Sequence, residues 1–150
     1  MINFLDKDHF IQLVQTDNNF MEYFNSIKKS EYLYRYNKKN INNLHHLYYD
    51  NILPFTESDK NQLINTINSI KNSRKWLFFK LDSDIDKGMP FTISNYIFLP
   101  SNFFNYSDSY VRDTIIHEQI HIHQHNNRFE YKKFYEKCGF RELSDSISDN

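Results

Sequence analysis

The sequence predicts a single α+β domain that is mostly helical and carries a small β-sheet. The chain has 150 residues, a usual size for one domain, and no linker or repeat divides it. Apolar residues recur at helical spacing through most of its length. Two short runs, at 75–81 and within 91–99, instead have the aromatic composition of strands. We therefore expect one domain over 1–150, with a helical front half (1–73), a half with strands and a further helix (74–140), and a polar tail (144–150).

Local signals place the helices of the front half. Asp6 or Asp8 is suited to cap a first helix that runs to about Ser26, and the polar cluster at 17–19 is able to split it in two. The segment 30–36 fits either a helix or a strand. Two further helices are expected, one over 44–51 and one from a capping box at Thr56–Asp59 to about Asn72.

The second half is expected to bring the strands next to a long helix. A strand over 75–81 is followed by an acidic turn at 82–88 and by a second strand that ends at Leu99. We expect this second strand to form the edge of the sheet, where an extended peptide can pair with it. Ser107 or Asp108 then caps a helix to about Asn126, and a last helix over 129–137 stops at Gly139.

Composition and charge argue against several classes of protein. The net charge is −1 and the basic residues are scattered, so no nucleic-acid surface is indicated. Because Cys138 is the single cysteine, the chain can form neither an internal disulfide nor a zinc site with several cysteines. The first residues lack a signal pattern, and no apolar run approaches the ~18 residues of a membrane span. We expect an intracellular, cytoplasmic protein without a membrane partner. Its oligomeric state stays open.

The most specific pattern is the HExxH element His117-Glu118-Gln119-Ile120-His121, which falls inside the long helix. Side chains four positions apart lie on one face of a helix, one turn from each other, so both imidazoles can bind one metal ion. The carboxylate of Glu118 stands beside them. Two imidazoles and a neighbouring carboxylate are what a zinc hydrolase needs to bind the ion and to take a proton from its water.

The apolar residues of the same helix are expected to bury it. Val111, Ile115 and Ile122 form one apolar edge, and Ile116 and Ile120 form another. The two histidines lie between these edges, where a partly buried cleft can form.

The third metal ligand is not fixed by the sequence. Catalytic zinc usually has three protein ligands, and the metzincin continuation of the motif would require a histidine where Asn127 stands. We favour Glu142, because its separation from the motif is nearest to that of a glutamate zincin. His125 and His123 are expected to be solvated or to surround the site. The alternatives for the third ligand are Glu130, Glu136 and the upstream His45 and His46.

A resemblance to known proteins covers roughly residues 75–140. It is carried by Trp76-x-Phe78-x-Lys80, Met89-Pro90-x-Thr92, Ile97-x-Leu99-Pro100, Thr114-x-x-His117-Glu118-x-x-His121-x-x-Gln124 and Phe134-Tyr135-x-x-x-Gly139-Phe140. On these pieces the chain resembles zincin-type metallopeptidases and, more narrowly, uncharacterised metallopeptidase-like proteins of giant viruses and algae. The resemblance implies a zincin-like fold, zinc on the two motif histidines and Glu118 as the general base.

The sequence thus predicts a zinc-dependent peptidase that acts on a peptide or protein substrate. Gln124 is a candidate to orient a ligand or to contact the substrate, and Tyr131, Tyr135 and Arg112 are candidates to stabilise the oxyanion. The alternative is a catalytically inactive zinc-binding or interaction module of zincin descent. A helical structural domain with a chance motif is a third possibility.

Overall fold

A computed structural model of the protein describes residues 1–70 and 74–139. It confirms the α+β class, with helices on both faces of a small mixed sheet. The helices are α1 (Lys7–Thr16), α2 (Asn18–Ser26), α3 (Tyr32–Tyr36), α4 (Leu44–Asp50), α5 (Glu57–Asn68), α6 (Asp108–Asn126) and α7 (Arg128–Lys137). The strands are β1 (Ile2–Phe4), β2 (Ile52–Leu53), β3 (Trp76–Leu81), β4 (Phe91–Ile93) and β5 (Tyr96–Pro100). Among these described residues, no helix combines the length and the apolar character needed to cross a membrane.

Side chains cap the helix starts, and the caps at Asp6 and Ser107 are among those predicted. The side chain of Asp6 accepts the His9 N–H at the start of α1, and Asp17 accepts the Phe20 N–H where the first helical stretch splits into α1 and α2. Ser107 caps α6. Each side-chain oxygen satisfies a backbone donor that the first helical turn leaves without a partner. The segment 30–36, for which the sequence allowed either a helix or a strand, is helical.

β3 organises the sheet. It pairs in parallel with β5 on one side, and with β1 (parallel) and β2 (antiparallel) on the other. A hairpin turn joins β4 to β5, and the backbone of Ser94 in this turn has a left-handed conformation. The prediction that the strand ending at Leu99 forms the edge is therefore wrong, because β5 lies between β3 and β4. The edge strand next to α6 is β4.

The helical description of the front half is incomplete, because β1 and β2 belong to the sheet. These strands have three and two residues and carry no alternating pattern of their own. They are extended because they pair with β3, which lies more than twenty residues later in the chain. The helix predicted to end near Asn72 ends earlier, at Asn68, and residues 71–73 lie outside the described part of the chain.

Side chains alternate along the two central strands and divide the core into two layers. Phe79 and Phe98 face a mainly aromatic layer with α1, α2 and α4. Phe78 and Ile97 face an opposite layer that contains α5 and α6. This period of two is what a sheet covered on both faces requires. As a consequence, α6 lies on one face of the sheet, and α3 and α4 lie on the other face.

A buried ion pair joins α5 to β3. Lys80 lies on the α5 side of β3, and its Nζ is 2.6 Å from Asp59 Oδ2, with about a tenth of each side chain exposed. Burial alone raises the pKa of Asp59, but the hydrogen bond from Lys80 and the one from the Thr56 N–H together hold that pKa below its usual value. Asp59 thus accepts a hydrogen bond in the cap of α5 and also neutralises Lys80, which is the buried cation of the described core.

Replacing Asp59 is expected to destabilise the fold strongly. In Asp59→Asn the Lys80 ammonium remains buried without its counter-charge, which costs about 3 kcal/mol or more in the free energy of unfolding. Urea denaturation at pH 7 measures this loss. The matched control is Glu57→Gln, whose exposed carboxylate is 3.4 Å from Lys60 on the same helix and whose loss is expected to cost under about 1 kcal/mol.

The same pair predicts a dependence on pH. Because the pKa of Asp59 is lowered by folding, the stabilisation is complete above the ordinary carboxyl pKa and is lost as the pH falls through the folded value. The stability difference between the wild type and Asp59→Asn should therefore shrink in acid. A difference no larger than that of Glu57→Gln at pH 7 would contradict this account.

Candidate metal centre

The orientation of α6 follows from its buried side chains. Val111, Ile115 and Ile122 are buried in the sheet layer, as predicted. The second predicted apolar edge is only partly buried, since Ile116 is half-buried and Ile120 is about half exposed. The buried position beside the sheet is taken instead by Gln119, whose Nε2 donates to the Lys75 backbone oxygen at 3.1 Å. This contact satisfies the amide inside the core and fixes the rotation of the helix.

The two motif histidines converge on one point. The Nε2 atoms of His117 and His121 are 2.8 Å apart, and the two rings are perpendicular, with centroids 4.4 Å apart. His117 is exposed and His121 is half-buried. The sequence predicted this convergence from the spacing of four residues on a helix. The two imidazoles are therefore placed to bind a single ion at the surface of α6.

Glu118 is turned away from solvent beside this pair. Its side chain is 5% exposed, and its Oε2 accepts no hydrogen bond from the described residues. Burial raises the pKa of Glu118 to about 7. A buried carboxyl without a hydrogen-bond donor is uncommon, and it is costly unless a function requires it. A group with this pKa can accept and release a proton near neutral pH.

The motif residues line an open cleft of about 770 Å³. One wall is a single face of α6, with residues at helical spacing from Tyr110 through Thr114 to His121. The sequence did not predict the opposite wall, because its parts are distant along the chain. That wall is formed by Ser30, Glu31, Tyr34, Arg35, Asp86, Lys87, Met89, Pro90 and Phe91.

The donor set fits zinc. Imidazole nitrogens are zinc ligands, and a tetrahedral ion bound at 2.0–2.1 Å separates two such nitrogens by roughly 3.3 Å. A rotation of the exposed His117 ring supplies the additional half ångström or so. The described residues contain no group of three His, Cys, Asp or Glu side chains that could hold a metal ion. A third protein ligand would therefore lie outside the described residues.

The structure bears differently on the candidates for the third ligand. Glu142 lies outside the described residues. Glu130 and Glu136 are exposed on α7, and neither belongs to the described lining of the cleft. On α4, the ring of His45 packs beside Phe24 and His46 in the aromatic layer. Neither of those two histidines lines the described cleft.

The residues predicted to stabilise the oxyanion do not lie in the cleft with the two histidines. The Tyr131 hydroxyl is 2.7 Å from His123 Nδ1, and both residues line a second cavity, of about 290 Å³, together with Trp76. His123 is thus half-buried and partnered rather than a surface residue. The lining of the cleft, as far as the chain is described, also lacks Arg112, Tyr135 and Gln124, and His125 is exposed as expected.

Comparisons with known proteins add no identification. The chain matches no protein-family model, no curated protein and no solved structure. The functional argument therefore depends on the chemistry of the cleft.

Removing the Glu118 charge is expected to stabilise the metal-free protein in a pH-dependent way. The folded protein keeps the Glu118 proton up to about pH 7, whereas the unfolded chain loses it near 4.5, so the wild type loses stability as the pH rises between these values. Glu118→Gln does not titrate. Its stability relative to the wild type should rise by roughly 2 to 3 kcal/mol between pH 5 and pH 8.

Urea denaturation in the presence of a chelator measures this difference. Glu130→Gln, which changes an exposed carboxyl on α7, serves as the control and should show no such rise. A constant difference between Glu118→Gln and the wild type across this pH range would show that the carboxyl is not held in an environment that disfavours its charge.

Proposed function

We propose that the protein is a zinc-dependent peptidase of the HExxH clan. The observation that carries the proposal is the convergence of the His117 and His121 Nε2 atoms in an open cleft, with the buried carboxyl of Glu118 beside them. At this distance the two imidazoles share a hydrogen bond, which a chance motif in a structural helix would also allow. A chance motif gives no reason, however, for the adjacent Glu118 Oε2 to be buried without a donor.

Each motif residue has a separate role in this proposal. His117 and His121 bind the metal, and Glu142 is the proposed third ligand. Zinc in such a site makes its bound water acidic and polarises the substrate carbonyl. Glu118 accepts a proton from the attacking water and passes it to the leaving amine. The pKa of Glu118 is about 7 in the metal-free site, and the positive charge of a bound zinc ion would lower this pKa and favour the carboxylate that acts as the base.

The sheet edge supports a peptide as the substrate. β4 ends the described sheet next to α6, and Phe91 on β4 lines the cleft. An extended peptide can add to such an edge through backbone hydrogen bonds. Its scissile bond would then run along α6 past the two histidines. The cleft volume is in the range that ligand-binding clefts occupy, which leaves room for a few residues of substrate.

The zinc site is tested by metal analysis of protein purified without a His tag. The wild type is expected to retain close to one zinc per chain. His117→Ala and His121→Ala are each expected to lose it, because each variant removes one of the two histidine ligands and a water molecule does not replace the imidazole without a large loss of affinity. His123→Ala and His125→Ala are the matched controls on the same helix and should retain zinc. Glu142→Gln should weaken binding if Glu142 is the third ligand. Equal zinc contents in all five variants would refute the site.

Activity is tested with Glu118→Gln, which keeps the shape of the side chain. We expect this variant to retain zinc and to lose at least about 100-fold in kcat on peptide substrates, because the general base is absent. The readout is cleavage of a mixed-sequence library of internally quenched peptides, followed by mass spectrometry of the products. Wild-type protein that binds zinc but cleaves no peptide would instead support the inactive zinc-binding module.

A further inference from the structure

The most extensive buried polar network among the described residues lies across the cleft from the metal-binding motif. Asp86 is at its centre. Its Oδ1 accepts from Arg35 Nε at 2.7 Å, and its Oδ2 accepts from the Tyr48 hydroxyl at 2.5 Å. The Tyr36 and Tyr48 hydroxyls are 2.7 Å apart, and Arg35 Nη2 donates to the Tyr23 hydroxyl at 2.7 Å. The network joins α2, α3 and α4 to one short turn.

That turn has a strained backbone. Asp86, Lys87 and Gly88 have φ angles of 52°, 58° and 66°, so three consecutive residues are left-handed. Only glycine adopts this region without cost, and lysine has no side-chain interaction that favours it. A Cβ at Gly88 would also approach the Ser83 backbone oxygen to 3.1 Å. Such a conformation persists only where the surroundings hold it in place, and such places are often functional sites.

The network supplies these restraints, and it does so at the cleft wall. Arg35, Asp86, Lys87 and Met89 all line the cleft opposite the motif helix. The Lys87 ammonium lies 3.2 Å from the centroid of the Tyr34 ring, which adds a second attachment for the turn. The chain then passes directly into the edge strand β4. Pairing with β5 holds β4, so the position of the turn sets where Lys87 and Met89 stand in the cleft wall.

The network is also chemically constant over the physiological pH range. Burial, with the Asp86 charge as a further cause, raises the pKa of Tyr23 to about 12. Burial likewise raises the pKa of Tyr36 and of Tyr48. The three tyrosines remain neutral hydroxyl groups around one compensated ion pair. These properties suit a fixed support rather than a pH-dependent switch.

We propose that Asp86 is a positioning residue for the cleft. Through Arg35 and Tyr48 it holds the left-handed turn at a fixed distance from His117, Glu118 and His121, and so it governs substrate binding rather than the chemical step. The inference rests on the proposed peptidase function. It gives a role to a charged network that the reaction itself does not use.

The test compares steady-state kinetics of the zinc-loaded protein with the best quenched peptide from the library. Asp86→Ala releases both restraints and is expected to raise KM at least tenfold while kcat stays within about twofold, because nothing on α6 is altered. Tyr48→Phe preserves the packed ring and removes one hydrogen bond to Asp86, so it should raise KM about threefold. Asp84→Ala is the matched control, since this exposed carboxylate lies two residues earlier in the same segment. An unchanged KM in both network variants, or a fall in kcat with constant KM, would overturn the inference.

A second readout does not depend on catalysis. Methyl-labelled methionine reports the wall directly, because Met89 lines the cleft while Met21 packs in the aromatic layer. We expect the Met89 methyl resonance, assigned with Met89→Leu, to shift or broaden in Asp86→Ala and in Tyr48→Phe, with the Met21 resonance unchanged. A Met89 resonance identical to that of the wild type would overturn the inference even if no peptide is cleaved. Absence of cleavage alone would count against the proposed function and not against this one.

Discussion

The packing of α6 on one face of the sheet determines which of its side chains reach the cleft. Val111, Ile115 and Ile122 bury α6 against the layer that contains Ile97 and Phe78. Each residue turns a helix by 100°, so fixing three buried positions fixes the direction of every other side chain. The motif histidines are directed into the cleft because these apolar contacts, together with the Gln119 amide bond, permit no other rotation.

Glu118 shows how closely the packing and the chemistry are linked. It follows a ligand position and faces partly toward the sheet, so the contacts that orient the helix also remove its carboxyl from water. Desolvation then raises its pKa toward neutrality without help from any neighbouring charge. The ionised carboxyl costs stability at this position, and the role of general base that we propose for Glu118 accounts for that cost.

The sequence predicted the features that depend on neighbouring residues. The caps at Asp6 and Ser107, the split of the first helical stretch at 17–19 and the spacing of the two histidines depend on signals within a few positions of one another, and the structure contains them. The edge of the sheet was assigned to the wrong strand because strand order is a property of the whole chain. Strand β1 has three residues and becomes extended through pairing with β3, which no local pattern reports.

The opposite wall of the cleft was not predictable for the same reason. Arg35 and Asp86 are 51 positions apart, and no local pattern links them. The left-handed conformation of Lys87 is imposed by tertiary contacts against the local preference of lysine, so a sequence pattern favours a different conformation there. Ile120 was expected inside because it is apolar, whereas the structure leaves it about half exposed.

X-ray absorption at the zinc edge, on protein loaded with one equivalent of zinc, tests the central claim most directly. The account predicts scattering from two imidazole rings with nitrogen at 2.0–2.1 Å and a remaining shell of oxygen. A spectrum without imidazole scattering, or a protein that does not retain the metal, would contradict the claim that His117 and His121 form a zinc site.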